Sequence, residues 1–361
     1  MPRFHPLTIK SIRQETPDCV SLALEVPPEL HETFRYQPGQ YLTLRRQHQG
    51  EELRRSYSLC SSPLDGEWRV AIKQVPGGLF STLALTDLRP GDTLDVLPPQ
   101  GRFVLPPATE AGVGRRYALF AAGSGITPIL SMAKTVLQAE PRSHVYLLYG
   151  NRGRNSIIFK EELDGLKNKY LGRLSVYHVL SREQGDSDLL YGRLTQEKAT
   201  EFLRNVLPTA QLDECFLCGP EEMITGVRQA LTDAGVAPAK VHFELFTSAA
   251  ATGPRATAPR IAHAPADDQR SQVTLRLDAR AYQLPMSYYG DTVLEAALAA
   301  GIDAPYSCKN GMCSTCRARV TNGTAVMDVN YSLDEQEVAA GYVLTCQARP
   351  TAPEVTVDFD Q

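Results

Sequence analysis

Along the first hundred positions, apolar and polar residues alternate in short runs divided by turn residues. Val20-Ser21-Leu22-Ala23-Leu24-Glu25-Val26 has a period of two, and Pro38-Gly39, Pro76-Gly77-Gly78 and Pro90-Gly91-Asp92 mark turns. Short strands between tight turns predict an antiparallel barrel or sandwich, closed near Pro106-Pro107. The rhythm then changes. Tyr117-Ala118-Leu119-Phe120-Ala121-Ala122 is an unbroken apolar run suited to a buried strand. Helix is predicted over 128–138, 159–169, 195–207 and 221–234, with strands over 145–149, 174–180 and 214–218 between them. That alternation predicts a parallel sheet with helices on both faces. Residues 248–270 are rich in Ala and Pro and lack periodicity, which predicts a semi-flexible linker. The last ninety residues mix both types, with strands at 273–277 and 355–359. Thr292-Val293-Leu294-Glu295 fits a capping box with Gly301 just past the helix end, and Ser332-Leu333-Asp334-Glu335 repeats the pattern before Gly341.

Composition narrows the class. The chain has 361 residues, 43% of them hydrophobic and 22% charged, which fits two or three globular domains and excludes wholesale disorder. The net charge of −4 gives no general attraction to nucleic acid or anionic membranes. It is unevenly spread: residues 271–361 hold eleven acids and six bases, the rest 30 acids and 31 bases, so a boundary near 271 is expected. No apolar run reaches about 18 residues, and Met1 to Pro6 has no apolar signal core. A soluble, cytoplasmic protein without a nucleic-acid or membrane partner is expected.

The eight cysteines are too few for a disulfide scaffold, but they are bunched. Cys308, Cys313 and Cys316 have the spacing C-x4-C-x2-C, and Cys346 follows after 29 intervening residues. This is the ligand spacing of a plant-type [2Fe–2S] cluster. Two irons need four thiolates; a tight loop supplies three and a distant position the fourth. Ser307, Asn310, Gly311, Ser314 and Thr315 are small or polar enough to turn backbone amides toward the sulfurs. Zinc fits less well, because the two C-x2-C pairs lie nearly a hundred residues apart. A Rieske centre needs two histidines, and none occurs after His263.

Three further strings carry candidate chemistry. Arg55, Tyr57 and Ser58, with Gly77, Gly78 and Ser81, offer a cation, an aromatic ring, a hydroxyl and free amides for a flavin and its phosphates, although each string alone is common. Gly123-Ser124-Gly125-Ile126-Thr127-Pro128 sits where a buried strand gives way to a helix, a place suited to a pyrophosphate; an ordinary strand–helix turn is the alternative. Ser181 and Arg182 end a third strand and suit a 2′-phosphate. The second strand ends in Tyr149-Gly150-Asn151-Arg152 with no acid for a free ribose hydroxyl. In Cys215-Phe216-Leu217-Cys218 the thiols fall on opposite faces of a strand, which argues against a redox pair. Cys215 reads as core, and Cys218 occupies the crevice position at the strand's end.

Taken together, Arg54-Arg55-Ser56-Tyr57-Ser58-Leu59, Gly77 to Ser81, Tyr149 to Arg152, Leu180 to Glu183 and the four late cysteines resemble the ferredoxin–NADP⁺ reductase superfamily fused to a C-terminal plant-type ferredoxin, over nearly the whole chain. The resemblance implies a multidomain protein. An antiparallel β-barrel FAD domain covers 1–108, and an α/β parallel-sheet NADP(H) domain covers 109–247. The linker covers 248–270, and an α+β β-grasp [2Fe–2S] domain covers 271–361.

The resemblance also implies roles. Arg55, Tyr57 and Ser58 contact FAD, with Ser58 near N5, and Gly77, Gly78 and Ser81 hold its pyrophosphate. Gly123, Gly125, Thr127, Pro128, Asn151 and Arg152 line the NADPH site, and Ser181 and Arg182 take the 2′-phosphate. Cys218 faces the nicotinamide, making Ser58 and Cys218 the candidate catalytic pair. Glu244 and Phe246 lie near the flavin, and Cys308, Cys313, Cys316 and Cys346 ligate the cluster. The residues alone leave FMN open beside FAD. The implied path runs from NADPH through the flavin to the cluster, which docks toward it by way of the linker, and on to a separate oxygenase. Lys309, Arg317 and Arg319 are candidate docking cations, with plain solvation as the alternative. A di-iron epoxidase acting on phenylacetyl-CoA is the suggested acceptor; a Rieske dioxygenase or a steroid hydroxylase belongs to the same class. A cluster-bearing redox sensor without turnover is the reading from a different class.

Overall fold

The computed structural model describes residues 3–106, 113–185, 187–246 and 269–361. The first hundred residues form six strands: β1 (His5–Thr16), β2 (Cys19–Glu25), β3 (Tyr41–His48), β4 (Glu51–Ser58), β5 (Trp68–Lys73) and, after helix α1 (Leu79–Thr86), β6 (Thr93–Val96). They make one antiparallel sheet in the order β4-β3-β6-β1-β2-β5, and a bridge from Leu59 to Val70 joins its two edges, so the sheet closes. Gln49 and Gly50 take positive φ of 50° and 83° between β3 and β4, the geometry a two-residue hairpin turn requires. Leu7, Ile9, Leu22, Leu42, Leu44, Val70 and Phe80 fill the interior.

The period-two pattern of β2 is present, but its outward face is not solvated. Every residue from Cys19 to Leu24 is buried. Val20, Leu22 and Leu24 point into the barrel, whereas Cys19 joins the core of the next domain. Helix α1 is not predicted by the pattern of apolar positions.

The second domain has β7 (Arg116–Ala122), α2 (Ile126–Ala139), β8 (His144–Asn151), α3 (Lys160–Lys169), β9 (Leu174–Leu180), α4 (Gln196–Asn205), β10 (Glu214–Gly219), α5 (Glu221–Asp233) and β11 (Val241–Leu245). Its sheet is parallel, in the order β11-β10-β7-β8-β9. Helices α2 and α3 pack on one face, and α4 and α5 on the other. Chain direction across the sheet reverses at β7, so the carboxyl ends of β7 and β10 flank a crevice, where open sheets of this kind bind ligands.

One face of α2 clasps the barrel. Ser131 Oγ donates to the Ser61 carbonyl at 2.6 Å, Thr135 and Ser62 hydroxyls meet at 2.9 Å, and Gln138 Nε2 donates to Asp65 at 2.9 Å. Lys134 Nζ lies 2.7 Å from both Asp65 and Glu162. Positions 131, 134, 135 and 138 share a stripe because the helix repeats every 3.6 residues.

A separate compact unit holds β12 (Arg270–Leu277), β13 (Arg280–Ser287), α6 (Val293–Ala299), β14 (Arg317–Asn322), β15 (Ala325–Met327), α7 (Glu335–Ala339), β16 (Tyr342–Leu344), β17 (Ala348–Pro350) and β18 (Glu354–Asp358). Its mixed sheet runs β13-β12-β18-β14-β16, with β15 and β17 paired apart, and α6 packs on its core: a β-grasp. Asp278 and Ala279 both take positive φ between β12 and β13, and the Asp360 carboxylate accepts both amides at 2.9 Å. The expected box at Thr292–Glu295 is present, with Gly301 left-handed after the helix. The second box is displaced by two residues. Asp334, not Ser332, caps α7 and pairs with Glu337, because the Ser332 and Leu333 amides are already bonded to the Asn330 side chain. The expected linker lies, apart from its last two residues, outside the described residues. No helix among those residues is long and apolar enough to cross a membrane.

Candidate functional site

β4 ends in Tyr57 and Ser58. The Tyr57 ring sits 5.7 Å from that of Phe80 on α1, and Ser58 is buried. Arg55, on the same strand, donates to the Arg54 carbonyl at 2.7 Å. On the other side of the crevice Cys218 of β10 and Glu244 of β11 are register partners in the parallel ladder. Burial pushes the Glu244 carboxyl up to about 8, while the Ser58 hydroxyl, hydrogen-bonded to it, pulls the other way. Its Oε2 is covered and has no partner. Burial also drives the Cys218 thiol well above its ordinary value, reinforced by Glu244. Cys218 is therefore a neutral thiol. Phe246 follows, its amide bonded to the Gly219 carbonyl at 2.8 Å and its ring against the core that includes Cys218. Ser58, Cys218 and Glu244, from three strands, thus meet at one place. Cys215 packs in the core on the opposite sheet face, as the odd spacing requires.

The turn before α1 holds Gly77 at φ +74° and Gly78 at the helix cap. Ser81 accepts from the Val75 amide and donates to the Gly78 carbonyl, both at 3.1 Å. Its hydroxyl is thus engaged within the turn. The first-turn amides of α1 remain as donors for an anion.

The turn after β7 is tighter. A Cβ at Gly125 would stand 2.2 Å from the Cys218 carbonyl oxygen, so only glycine lets this turn lie against the end of β10. Gly123 takes φ +54°, and the buried Tyr149 hydroxyl donates to its carbonyl at 2.9 Å. Thr127 Oγ1 donates to the Ser124 carbonyl at 3.0 Å, and Pro128 sits in the first turn of α2, where its missing N–H costs no hydrogen bond. At the ends of β8 and β9, the Ser181 amide donates to the Asn151 carbonyl at 2.9 Å and the Arg182 amide to the Arg152 carbonyl at 2.8 Å. Asn151 is buried with Nδ2 unsatisfied, whereas Arg152 and Arg182 are exposed and unpaired with any carboxylate among the described residues. These four residues form one cluster, in which the two exposed cations are available for a ligand.

The cysteine loop is held open by positive φ at Lys309, Gly311 and Ser314. The Cys308 amide points at Cys313 Sγ at 3.5 Å, and the Asn310 amide at Cys308 Sγ at 3.3 Å. The thiols fall into two pairs. Cys313 hydrogen-bonds Cys308 and lowers it to about 6 against the effect of burial, and a hydrogen bond from Cys316 holds Cys346 below its ordinary value. Gln347 Nε2 reaches Cys346 Sγ at 3.6 Å. Among the described residues, no three His, Cys, Asp or Glu side chains converge as a site for a single ion. Two pairs of thiols, with amides aimed at the sulfurs, fit a binuclear cluster, which takes two thiolates on each iron. The donor set also fits a flavin and a nucleotide: glycine turns at 77–78 and 123–125, each at a helix start, and a buried Glu244 oxygen without a partner in the protein. Two of the candidate docking cations are engaged: Arg317 pairs with Glu337 at 3.0 Å over the Tyr342 ring, and Arg319 donates to the Ala340 carbonyl at 3.1 Å. Lys309 lies over Tyr306.

Three family models match the chain: an oxidoreductase FAD-binding domain over residues 6–105, an oxidoreductase NAD-binding domain over 119–229 and a 2Fe-2S iron-sulfur cluster binding domain over 287–351. They bear out the expected cofactors: FAD, a [2Fe–2S] cluster and a reduced nicotinamide nucleotide, expected as NADPH. The chain is 42% identical over 360 residues to a 1,2-phenylacetyl-CoA epoxidase component of Escherichia coli, covering 100% of this chain and 99% of that one. It is 36% identical to the ferredoxin reductase component of 3-ketosteroid-9-alpha-monooxygenase of Rhodococcus rhodochrous, covering 98% and 96%. Phthalate dioxygenase reductase shares the fold, with a TM-score of 0.60 at 24% identity over 99% of this chain and 98% of that one. The chain belongs to the ferredoxin–NADP⁺ reductase superfamily, to the group fused to a C-terminal plant-type [2Fe–2S] ferredoxin, and is an NAD(P)H-dependent electron-transfer oxidoreductase.

Proposed function

We propose that the protein is the NADPH-dependent reductase of a multicomponent oxygenase, most specifically of a di-iron epoxidase that acts on phenylacetyl-CoA in the aerobic breakdown of phenylacetate. Its domains run over 1–108, 109–247 and 271–361, joined by the linker 248–270, and it works in the cytoplasm. When bound, FAD converts the paired electrons of NADPH into single electrons that a [2Fe–2S] cluster can pass on.

The residues supply position and electrostatics. Arg55 and the first-turn amides of α1, beyond Gly77, Gly78 and Ser81, neutralise the flavin phosphates, and Tyr57 packs against its ring. Ser58 and Glu244 sit together beside the flavin edge: a carboxyl pushed to about 8 keeps its proton there at neutral pH, while the Ser58 hydroxyl donates to it. Cys218, an uncharged thiol, leaves the nicotinamide ring room to lie flat. Gly123, Gly125, Thr127 and Pro128 shape the pyrophosphate turn, Asn151 offers its unsatisfied amide, and Arg152, Ser181 and Arg182 take the 2′-phosphate. Cys308, Cys313, Cys316 and Cys346 hold the cluster.

The meeting of Ser58, Cys218 and Glu244 carries the reductase reading; the acceptor rests on the end-to-end similarity to the epoxidase component. The test is reconstitution: purified reductase, NADPH and the di-iron oxygenase should consume phenylacetyl-CoA in an oxygen-dependent reaction. Cytochrome c reduction without such turnover would move the acceptor to the second reading, a steroid-hydroxylating oxygenase, which the 36% identity to the ketosteroid component favours. A flavin-free protein inert toward both would leave only the redox sensor.

A further inference from the structure

Positions 152–154 and 181–183, just past the ends of β8 and β9, carry three arginines and one acid. Arg152 and Arg182 are joined through their backbone. Glu183 comes next and turns back across the ends. It accepts from Arg154 twice: from Nε at 2.9 Å and from the backbone amide at 2.8 Å. A Cβ at Gly153 would stand 2.9 Å from Glu183 Oε2, so glycine there lets the carboxylate lie against the loop. The side chains of Arg154 and Glu183 are 69% and 42% exposed, and an ion pair so exposed adds little to stability. Its effect lies in what it does to local charge. In folds of this kind a carboxylate at the nucleotide's ribose accepts the free 2′-hydroxyl of NADH and repels a 2′-phosphate dianion.

We infer that Arg154 sets nucleotide preference by holding the Glu183 carboxylate, neutralised and turned away, so that Arg152 and Arg182 present net positive charge to a 2′-phosphate. Arg154 is a positioning residue: it acts through Glu183 and not by touching the phosphate. Arg154→Ala removes the guanidinium but keeps the backbone amide at 2.8 Å, so Glu183 stays at the strand ends with its charge no longer neutralised and restores an acid beside Arg182 where NADH needs one. The inference rests on the 2′-phosphate reading of Ser181 and Arg182.

The test uses the full-length holoprotein with ferricyanide as acceptor, comparing kcat/KM for NADPH and NADH, and inhibition by 2′,5′-ADP against 5′-AMP. Arg154→Ala should lower the NADPH:NADH ratio about fivefold, the size expected of one surface charge, and weaken 2′,5′-ADP selectively. Adding Glu183→Gln to Arg154→Ala should return the ratio to the starting value, and Glu183→Gln alone should not lower it. Equal loss with both nucleotides would make Arg154 merely structural and overturn the inference. So would a ratio left low in the double variant, since Arg154 would then contact the phosphate itself. Arg182→Ala is the control: if it leaves the ratio unchanged, the phosphate reading falls and this inference with it. If it collapses the ratio while Arg154→Ala does not, only the inference falls.

Discussion

Cys218 on β10 and Glu244 on β11 are direct neighbours in a parallel ladder, and both are held in their neutral forms by burial. Two potential anions side by side would repel incoming negative charge, such as the proposed flavin and nucleotide carry; as thiol and carboxylic acid they do not.

That arrangement has a cost that pH exposes. An acid whose folded pKa of about 8 lies above its ordinary value of 4.5 stabilises the fold only while protonated. Its contribution is complete below pH 4.5 and is lost as pH rises to 8. Relative to wild type, Glu244→Gln should therefore gain stability across that window at about 1.4 kcal/mol per pH unit, measured as unfolding free energy at several pH values. A difference independent of pH would mean that Glu244 ionises normally.

The α2 clasp makes a second prediction. Lys134→Met removes the cation shared by Asp65 and Glu162 and leaves two partly buried carboxylates facing each other. A loss of roughly 2 kcal/mol at pH 7 is expected, between the values for exposed and fully buried pairs. Asp65 lies below its ordinary 3.8, chiefly through the Gln138 and Lys134 hydrogen bonds that overcome burial, so its contribution is present above pH 3.8 and is lost on further acidification. The wild-type advantage in thermal melts should shrink there.

Gly125→Ala places a methyl group 2.2 Å from a backbone oxygen that cannot rotate away. The turn must shift, at roughly 1–3 kcal/mol. NADPH-driven ferricyanide reduction should fall through a raised KM, while the bound flavin remains reducible by dithionite. A KM equal to wild type would show that the turn does not touch the nucleotide.

Cys313→Ser should abolish cytochrome c reduction and the visible absorption of the cluster, yet spare direct dye reduction by the flavin. Equal loss of both activities would contradict a path in which the cluster lies downstream of the flavin.

The cysteine loop, the β7–α2 turn and the Thr292 box are legible in the chain because each is a short string whose meaning depends on its own spacing. Ser81 fits a phosphate ligand by position, yet its hydroxyl is bonded within its own turn; a hydroxyl's partner cannot be inferred from its place in a string. Ser332 fits the pattern of a cap, but Asn330 claims the neighbouring amides first. Arg317 and Arg319 read as free cations, and only packing brings Tyr342 and Glu337 to Arg317 and the Ala340 carbonyl to Arg319.

Sequence by itself therefore determined which chemistry this chain holds: four cysteines at cluster spacing, glycines at two turns that lead into helices, and an order of strands and helices that places them. Tertiary structure alone decided charge states and pairings. Ser58 and Glu244 are 186 positions apart in the chain, and Arg154 and Glu183 lie on different strand ends. Whether a carboxyl keeps its proton, or a guanidinium faces a ligand or a neighbour, depends on distances of a few ångströms and on exclusion of water. Neither is encoded in local spacing, because both arise only when distant segments pack together.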